Sequence, residues 1–262
     1  MRIRASRDLI RSRLQRDVLR HVVTLKMLQL YGDAIELKFA EDGDGWALLS
    51  LLPAEMSDFD RRAYAESRFV VLVDGTSAGS KLTLLEGLPS DRLVIKTYDD
   101  LVRQFALARL RARKVRSFVS LTVPAGTRLE EKPSGVVESG LLAPEVARML
   151  SNNGYTPEEL AGQFAAGARW FATQEAGKTV SAGFVFPNFD SVWEIGGLFT
   201  EPGWRRQGRA RSIVIAALNY LTARGRVPRY QAQSDNIGSV RLAQAAGLRE
   251  FLRLDHLLAN QE

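Results

Sequence analysis

The residues most suited to chemistry lie in the loop Arg205–Ala210, which reads Arg-Arg-Gln-Gly-Arg-Ala. Between Pro202 and Ser234 there are seven arginines and no acidic side chain. A glycine at the junction of a strand and a helix lets backbone N–H groups and the positive end of the helix face one point. That arrangement binds phosphate. The loop therefore predicts an anion site, with a phosphate ester as the first candidate.

Two common phosphate-binding motifs do not fit this loop. Gly203 and Gly208 have the glycine spacing of a nucleotide-triphosphate loop, but Arg209 and Ala210 replace the lysine and hydroxyl that would hold the nucleotide and Mg²⁺. A dinucleotide fingerprint needs three glycines after the first strand and an acid about twenty residues on. Neither a triphosphate nor a dinucleotide is indicated.

The elements that must position the loop are a strand over 192–200 and a helix over 209–224. The helix carries a continuous apolar stripe, and Gly225 marks its end. Gly196 and Gly197 interrupt an otherwise good strand, which predicts a β-bulge or a close approach of another backbone. The phosphate loop is thus expected directly after an irregular strand.

Two motifs in order make the chain resemble a known family. R-x-x-G-x-[GA] at 205–210, after the proline turn at Pro202, resembles the pyrophosphate loop of the GNAT superfamily of acyl-CoA N-acyltransferases. Further on, Asn236–Ser239 and Gly247-Leu248 resemble the N-x-x-[AS] and G-[FL] segments of that family. The resemblance covers residues 165–255.

The resemblance implies both a fold and an activity. The fold class would be α/β (α+β), with a GNAT-like, mixed and mainly antiparallel sheet flanked by helices. Alternating strand and helix patterns in the N-terminal half independently predict a second α/β domain before it. The activity would be transfer of an acetyl or other acyl group from CoA to a primary amine by direct attack. Acetyl-CoA would be the acyl-donor co-substrate, and the amine would belong to a small molecule or a protein.

The family pattern also implies which residues hold acyl-CoA. Loop amides would bind the pyrophosphate, the pantetheine arm would pair with the strand, and the Leu198 N–H would donate to the thioester carbonyl. The implied contacts are Leu198, Phe199, Thr200, Arg205, Arg206, Gln207, Gly208, Arg209, Ala210, Arg211, Asn236 and Ser239.

Glu194 is the candidate general base. An alkylammonium with a pKa of ~10.4 is almost fully protonated at neutral pH, so a base, acting directly or through water, helps the amine to attack. Glu194 is an acid inside an apolar strand, eleven residues before Arg205, and some family members place their base glutamate at this spacing. The alternative is an acid at a strand edge, or one paired with a nearby arginine.

The chain departs from the family pattern at Ala243. Many members have a tyrosine there, seven residues after the asparagine, which reprotonates the leaving CoA thiolate. Tyr230, Ser234 and water are the alternatives in this sequence, unless the thiolate leaves without help.

Composition narrows the function classes further. The chain of 262 residues is 45% hydrophobic and 25% charged, which is typical of a globular protein in solution, and the absence of cysteine excludes disulfides and suits a reducing cytoplasm. His21 and His256 are far apart, so no metal site is expected. No apolar run is long enough to span a membrane.

The net charge of +6 raises a nucleic-acid alternative. Much of the excess lies in the arginines between Arg2 and Arg20 and in the cluster 109–116, but no aromatic residues interleave them to stack on bases. Solvated helix faces are the simpler interpretation. The other rival is a CoA-binding or regulatory GNAT-like protein without catalysis.

Turn-forming residues over 124–139 mark the expected domain boundary. They divide the chain into an N-terminal α/β domain over 1–130 and a GNAT-like domain over 131–262. Within the latter, Thr156 and Glu159 form a capping box that predicts a helix over 157–168. Before the boundary, an apolar stripe predicts a helix over 7–31. The sequence assigns neither a particular amine nor an oligomeric state.

Overall fold

The computed structural model describes residues 5–259. By their internal contacts these residues divide into two compact units, one formed by 5–118 with 252–259 and the other by 119–251. The domain boundary at residue 130 stays a prediction.

The first unit begins with helices and continues as alternating strands and helices. Its elements are α1 Arg7–Leu14, α2 Val18–Tyr31, β1 Glu36–Asp42, β2 Gly45–Pro53, α3 Asp58–Ala63, β3 Phe69–Gly75, α4 Ala78–Glu86, β4 Leu93–Thr97, α5 Asp100–Arg109 and β5 Arg113–Thr122, the end of which groups with the second unit. The single helix predicted over 7–31 is divided, because the Asp17 side chain accepts from the Arg20 N–H and caps a new helix.

The second unit holds the segment that resembles the GNAT superfamily. Its elements are β6 Val136–Ser139, α6 Pro144–Ser151, α7 Pro157–Ala165, β7 Arg169–Glu175, β8 Lys178–Phe189, β9 Val192–Thr200, α8 Arg209–Thr222, β10 Val227–Gln233, α9 Ile237–Ala245 and β11 Arg249–Ala259, most of which groups with the first unit. The capping box on Thr156 is present, so the predicted helix start is confirmed.

The strands of the second unit follow the order β10-β9-β8-β7-β6, with β5 beside β10. Neighbours from β6 to β9 are antiparallel, whereas β9 and β10 are parallel and joined through α8. The apolar residues of α8, such as Ile213 and Val214, pack on one face of these strands, and α6 and α7 pack through Leu150 and Leu160 on the other. The predicted mixed, mainly antiparallel sheet flanked by helices is confirmed.

Strand β9 is irregular where the two glycines occur. Phe184 pairs with Gly196 and Ala182 pairs with Phe199, so β9 has one residue more than β8 between these pairs. Gly197 takes a φ of 64°, which favours glycine. The predicted bulge is confirmed.

Strands β9 and β10 separate just after this point. Their last paired residues are Ile195 and Tyr230, although β9 continues to Thr200 and β10 to Gln233. The two strands therefore diverge, and the end of β9 has a free edge towards β10.

The first unit repeats this order of elements. β1-β2-β3 are antiparallel neighbours, β3 and β4 are parallel and joined through α4, and β11 pairs antiparallel with β4. Its core cluster includes Leu49, Val71 and Ile95. The second α/β part expected before the GNAT-like part is therefore present, with a parallel pair and crossover helix of its own.

Candidate functional site

Helix α8 begins without the side-chain cap that most helices of this chain have. Its N-cap is Gly208, with a φ of 76° and no side chain to accept from the first backbone N–H groups. Among the α-helices within residues 5–259, α6 is the other one without a side-chain cap, and Pro144 at its start removes one of the N–H groups. The N–H groups at the start of α8 are thus available to a ligand.

The space around Gly208 is open. A Cβ built on it would meet no atom within 4 Å, and residues 205–208 are exposed. Arg206 has a φ of 60°, a conformation that costs energy for a residue with a side chain. No partner for its guanidinium is found in the part of the chain described. Arg206 is therefore the arginine of the loop whose side chain is most available to bind an anion.

The other arginines of the loop contact the protein itself. Arg209 pairs with Glu175, and Arg211 pairs with Glu130. Arg205 Nε donates to the Thr200 carbonyl over 3.0 Å. Gln207 similarly donates to the Gly203 carbonyl over 3.2 Å. These contacts hold the loop in shape, and Ala210 lies in the first turn of α8.

The predicted pantetheine edge, Leu198–Thr200, lies directly before the loop. The Leu198 carbonyl accepts from Asn153 Nδ2 over 3.1 Å. The Ser181 hydroxyl is 3.1 Å from the Phe199 carbonyl oxygen and 2.8 Å from Thr200 Oγ1. The edge is therefore held in place by Ser181 of β8 and by Asn153 of the turn after α6, while β10 has already diverged from it.

The residues of the second motif serve helix α9. The Asn236 side chain caps this helix by accepting from the Ser239 N–H over 3.1 Å. Ser239 Oγ lies 2.8 Å from the Tyr230 hydroxyl, and burial raises the pKa of Tyr230. Ala243 is fully buried. In the structure Asn236 and Ser239 thus organise the end of β10 and the start of α9.

Glu194 lies in a buried polar array across neighbouring strands. Its Oε2 accepts from Asn188 Nδ2 over 2.7 Å and from Arg229 Nη1 over 2.8 Å. Arg229 Nη2 in turn donates to Ser120 Oγ over 3.0 Å. Glu194 is 7% exposed and Arg229 3% exposed, so the pair is shielded from water. The pairing with an arginine that the sequence analysis kept as an alternative is present.

Sequence reasoning allowed an arginine partner for Glu194 but identified neither Arg229 nor Asn188. Arg229 stands opposite Glu194 in the parallel register of β9 and β10, and this register depends on how α8 crosses the sheet. Asn188 reaches Glu194 across the antiparallel pair of β8 and β9. No local pattern in the sequence predicts either contact.

Tyr155 is a further polar residue beside this array that the sequence analysis did not select. It lies in the turn between α6 and α7, and its ring packs edge-on against Phe184 with centroids 5.0 Å apart. A Cβ built on Gly196 would be 2.8 Å from the Tyr155 hydroxyl oxygen. Burial and the negative charges of Glu194 and Glu159 raise the pKa of Tyr155, so the hydroxyl keeps its proton at neutral pH.

Other expected features can be placed as well. Arg7 donates to the carbonyls of Gly32 and Ile35, and Arg13 pairs with Glu41, so part of the arginine-rich start serves the fold; Arg2 and Arg4 lie outside the described residues. Within 5–259 no group of three metal-ligating side chains is found. In the same range no helix is long and apolar enough to cross a membrane.

Comparison with known proteins identifies the class. The family model of the acetyltransferase (GNAT) family matches residues 147–248, which include β9, the loop, α8 and α9. Residues 147–248 therefore match a GNAT acetyltransferase domain, a family that generally uses acetyl-CoA. No curated protein matches the chain.

Solved structures support the same fold over nearly the whole chain. A GCN5-related N-acetyltransferase from Sphaerobacter thermophilus is similar at a TM-score of 0.59 and 14% identity, covering 90% of this chain and 84% of that one. One from Kribbella flavida has a TM-score of 0.55 and 15% identity, covering 92% and 95%. A Drosophila protein has a TM-score of 0.59 and 14% identity, covering 99% of both chains. At this low sequence identity, the similarities show a shared fold and no more.

Proposed function

We propose that the second unit is an N-acetyltransferase that moves an acetyl group from acetyl-CoA to a primary amine. The observation that carries the proposal is the uncapped, open start of α8 at Gly208, directly after the free edge of β9. The pyrophosphate of CoA would accept from the N–H groups at the start of α8, and Arg206 would add positive charge. The pantetheine arm would extend along Leu198–Thr200.

The reaction would proceed by direct attack. The lone pair of the amine attacks the thioester carbonyl carbon, a C–N bond forms, and the carbonyl oxygen becomes an oxyanion that the Leu198 N–H stabilises. The C–S bond then breaks, and its electron pair leaves on the CoA sulfur. The nitrogen gives its proton to Glu194, directly or through water. A cytoplasmic location, as the sequence predicts, remains part of the proposal.

A non-catalytic CoA-binding protein is the second candidate, because two observations favour it. Glu194 is held by Arg229, and Ala243 leaves the usual tyrosine position without a hydroxyl. Such a protein would bind acetyl-CoA as tightly as the enzyme but release no thiol when amines are added.

Thermal unfolding with and without acetyl-CoA tests the donor site. A ligand at a hundred times its Kd stabilises by about 2.7 kcal/mol, which for a chain of this size raises the melting temperature by on the order of 5 °C. In Gly208→Asp we expect this rise to disappear, since the new carboxylate would repel the phosphates.

Gly225→Asp is the matched control. Gly225 also has a positive φ, of 64°, and open space around it, but lies beyond the other end of α8. Both variants place a side chain at a positive φ, and only Gly208→Asp should lose the acetyl-CoA response. Equal responses in the two variants would remove Gly208 from the proposed site. Thiol release with a panel of primary amines then separates the enzyme from the non-catalytic binder.

A further inference from the structure

We infer that the Tyr155 hydroxyl and the Glu194 carboxylate together hold the acceptor nitrogen, which makes Tyr155 a further catalytic residue. The inference rests on the proposed transfer to a primary amine. It assigns two hydrogen-bond acceptors to the nitrogen, one from the turn between α6 and α7 and one from β9.

The first supporting observation is the way β9 makes room for Tyr155. Gly196 is not among the glycines with positive φ, so its backbone does not require glycine. Its missing side chain instead leaves space for the Tyr155 hydroxyl, which a Cβ would approach to 2.8 Å. Any larger residue at 196 would displace this hydroxyl or the Phe186 ring, whose Cε1 would be 3.3 Å from the same Cβ.

The second observation is unused hydrogen-bonding capacity. Among residues 5–259 the Tyr155 hydroxyl has no hydrogen-bond partner, yet it is not one of the fully enclosed polar atoms. Both hydrogen bonds to Glu194 end on Oε2, and none to Oε1 is found over the same residues. A hydroxyl oxygen and a carboxylate oxygen are thus free on neighbouring groups that do not bond to each other.

The third observation is their position relative to the predicted thioester. Glu194 and Gly196 are alternate residues of one strand and so point to the same face. The bulge follows at Gly197, and Leu198, whose N–H would hold the thioester carbonyl, comes next. An amine between Tyr155 and Glu194 would lie beside the reacting carbon on the face covered by α6 and α7.

The chemical step balances with these two groups. One N–H of the neutral amine donates to Tyr155 Oη and the other to Glu194 Oε1, which leaves the nitrogen lone pair to attack the carbonyl carbon. As the C–N bond forms, Glu194 takes one proton, and the C–S electron pair leaves on sulfur. Tyr155 keeps its own proton throughout, so it positions the nitrogen and does not change charge.

Steady-state kinetics with acetyl-CoA and the best acceptor of a panel (spermidine, lysine, histamine, glucosamine) test the inference. Tyr155→Phe keeps the ring against Phe184 and removes the hydroxyl. We expect kcat/KM for the amine to fall by about 10-fold, the loss of one good hydrogen bond, while the KM for acetyl-CoA is unchanged. Tyr220→Phe, on α8 against Phe171, is the matched control and should have wild-type kinetics.

The close approach of the Tyr155 hydroxyl to Gly196 provides a second, more specific test. Gly196→Ala should have the same defect as Tyr155→Phe, because the new Cβ displaces the hydroxyl. In the double variant the clashing oxygen is gone, so we expect no further loss beyond either single variant. Two independent structural lesions would instead multiply, and that outcome would overturn the inference.

The inference and the proposed function can fail separately. If the wild type acylates amines and Tyr155→Phe does so equally well, Tyr155 has no role and the function stands. If no amine is acylated, thiol release by slow hydrolysis of bound acetyl-CoA becomes the readout, with water in place of the amine. An unchanged hydrolysis rate in Tyr155→Phe then overturns the inference, whereas absence of any acetyl-CoA response refutes the function itself.

Discussion

At the scale of single residues, the central question is what Glu194 does beside Arg229. The two form a buried ion pair, and removing one partner of such a pair leaves an uncompensated charge that costs about 3 kcal/mol or more. A defect in Glu194→Gln alone could therefore come from lost stability as well as from a lost base. The two causes are separated by neutralising both partners.

For Glu194→Gln we expect kcat to fall by at least about 100-fold, the usual contribution of a general base, with the melting-temperature rise from acetyl-CoA retained. The free energy of unfolding should also fall by about 3 kcal/mol. In Glu194→Gln/Arg229→Gln the stability should largely return but the activity should not. Wild-type turnover in the double variant would eliminate Glu194 as the base and leave the ion pair as a structural feature.

At the scale of elements, helix α7 holds the turn that carries Tyr155. Thr156 accepts from the Glu159 N–H over 3.2 Å, and Glu159 accepts from the Thr156 N–H over 2.8 Å. These reciprocal bonds fix the N-cap of α7, Thr156, directly after Tyr155. The cap should thus affect both the stability of the helix and the position of the tyrosine.

Thr156→Ala should lower the free energy of unfolding by about 1 kcal/mol, measured by denaturant titration. Glu158→Gln, an exposed change in the same turn, serves as the control and should stay within about 0.5 kcal/mol of the wild type. Equal values for the two variants would mean that the capping box contributes nothing. The α7 start was predictable because such a cap depends only on neighbouring residues.

At the scale of the whole molecule, the chain repeats one order of elements but only the second copy has an open loop before its crossover helix. Residues 201–208 join β9 to α8, whereas Thr76 and Ser77 alone join β3 to α4. Ser77 caps α4, and Asp42 accepts from the hydroxyls of Ser77 over 2.5 Å and Ser80 over 2.7 Å. These bonds lower the pKa of Asp42 to about 2, so its carboxylate is ionised at neutral pH. The position at the start of α4 that corresponds to the proposed phosphate position at the start of α8 is therefore filled by an anion of the protein itself.

We therefore expect one acyl-CoA per chain. Isothermal titration of the full chain with acetyl-CoA should give a stoichiometry near one, and Gly208→Asp should abolish the heat of binding. A stoichiometry near two would mean that the first unit also binds, despite its capped helix. The prediction is independent of the amine and of any turnover.

Much of the second unit could be predicted because the relevant physics is local. The glycines of β9 predict a bulge, the Thr156–Glu159 spacing predicts a helix start, and Gly208 predicts an open helix end, each from a few adjacent residues. The division of helix 7–31 was missed, since the Asp17 cap competes with an apolar pattern that continues on both sides. The predicted role of Arg209 and Arg211 as phosphate contacts remains a prediction, and both pair with glutamates from distant parts of the chain.

The sequence by itself determined the loop Arg205–Ala210, the strand and helix around it, and the GNAT class, because these rest on neighbouring residues and their order. The tertiary structure decided the surroundings of Glu194. Arg229 meets it only through the parallel register of β9 and β10, and Tyr155 comes near only because α6 and α7 pack over Gly196. Contacts between residues far apart in the chain depend on strand register and helix packing, which short-range patterns do not specify.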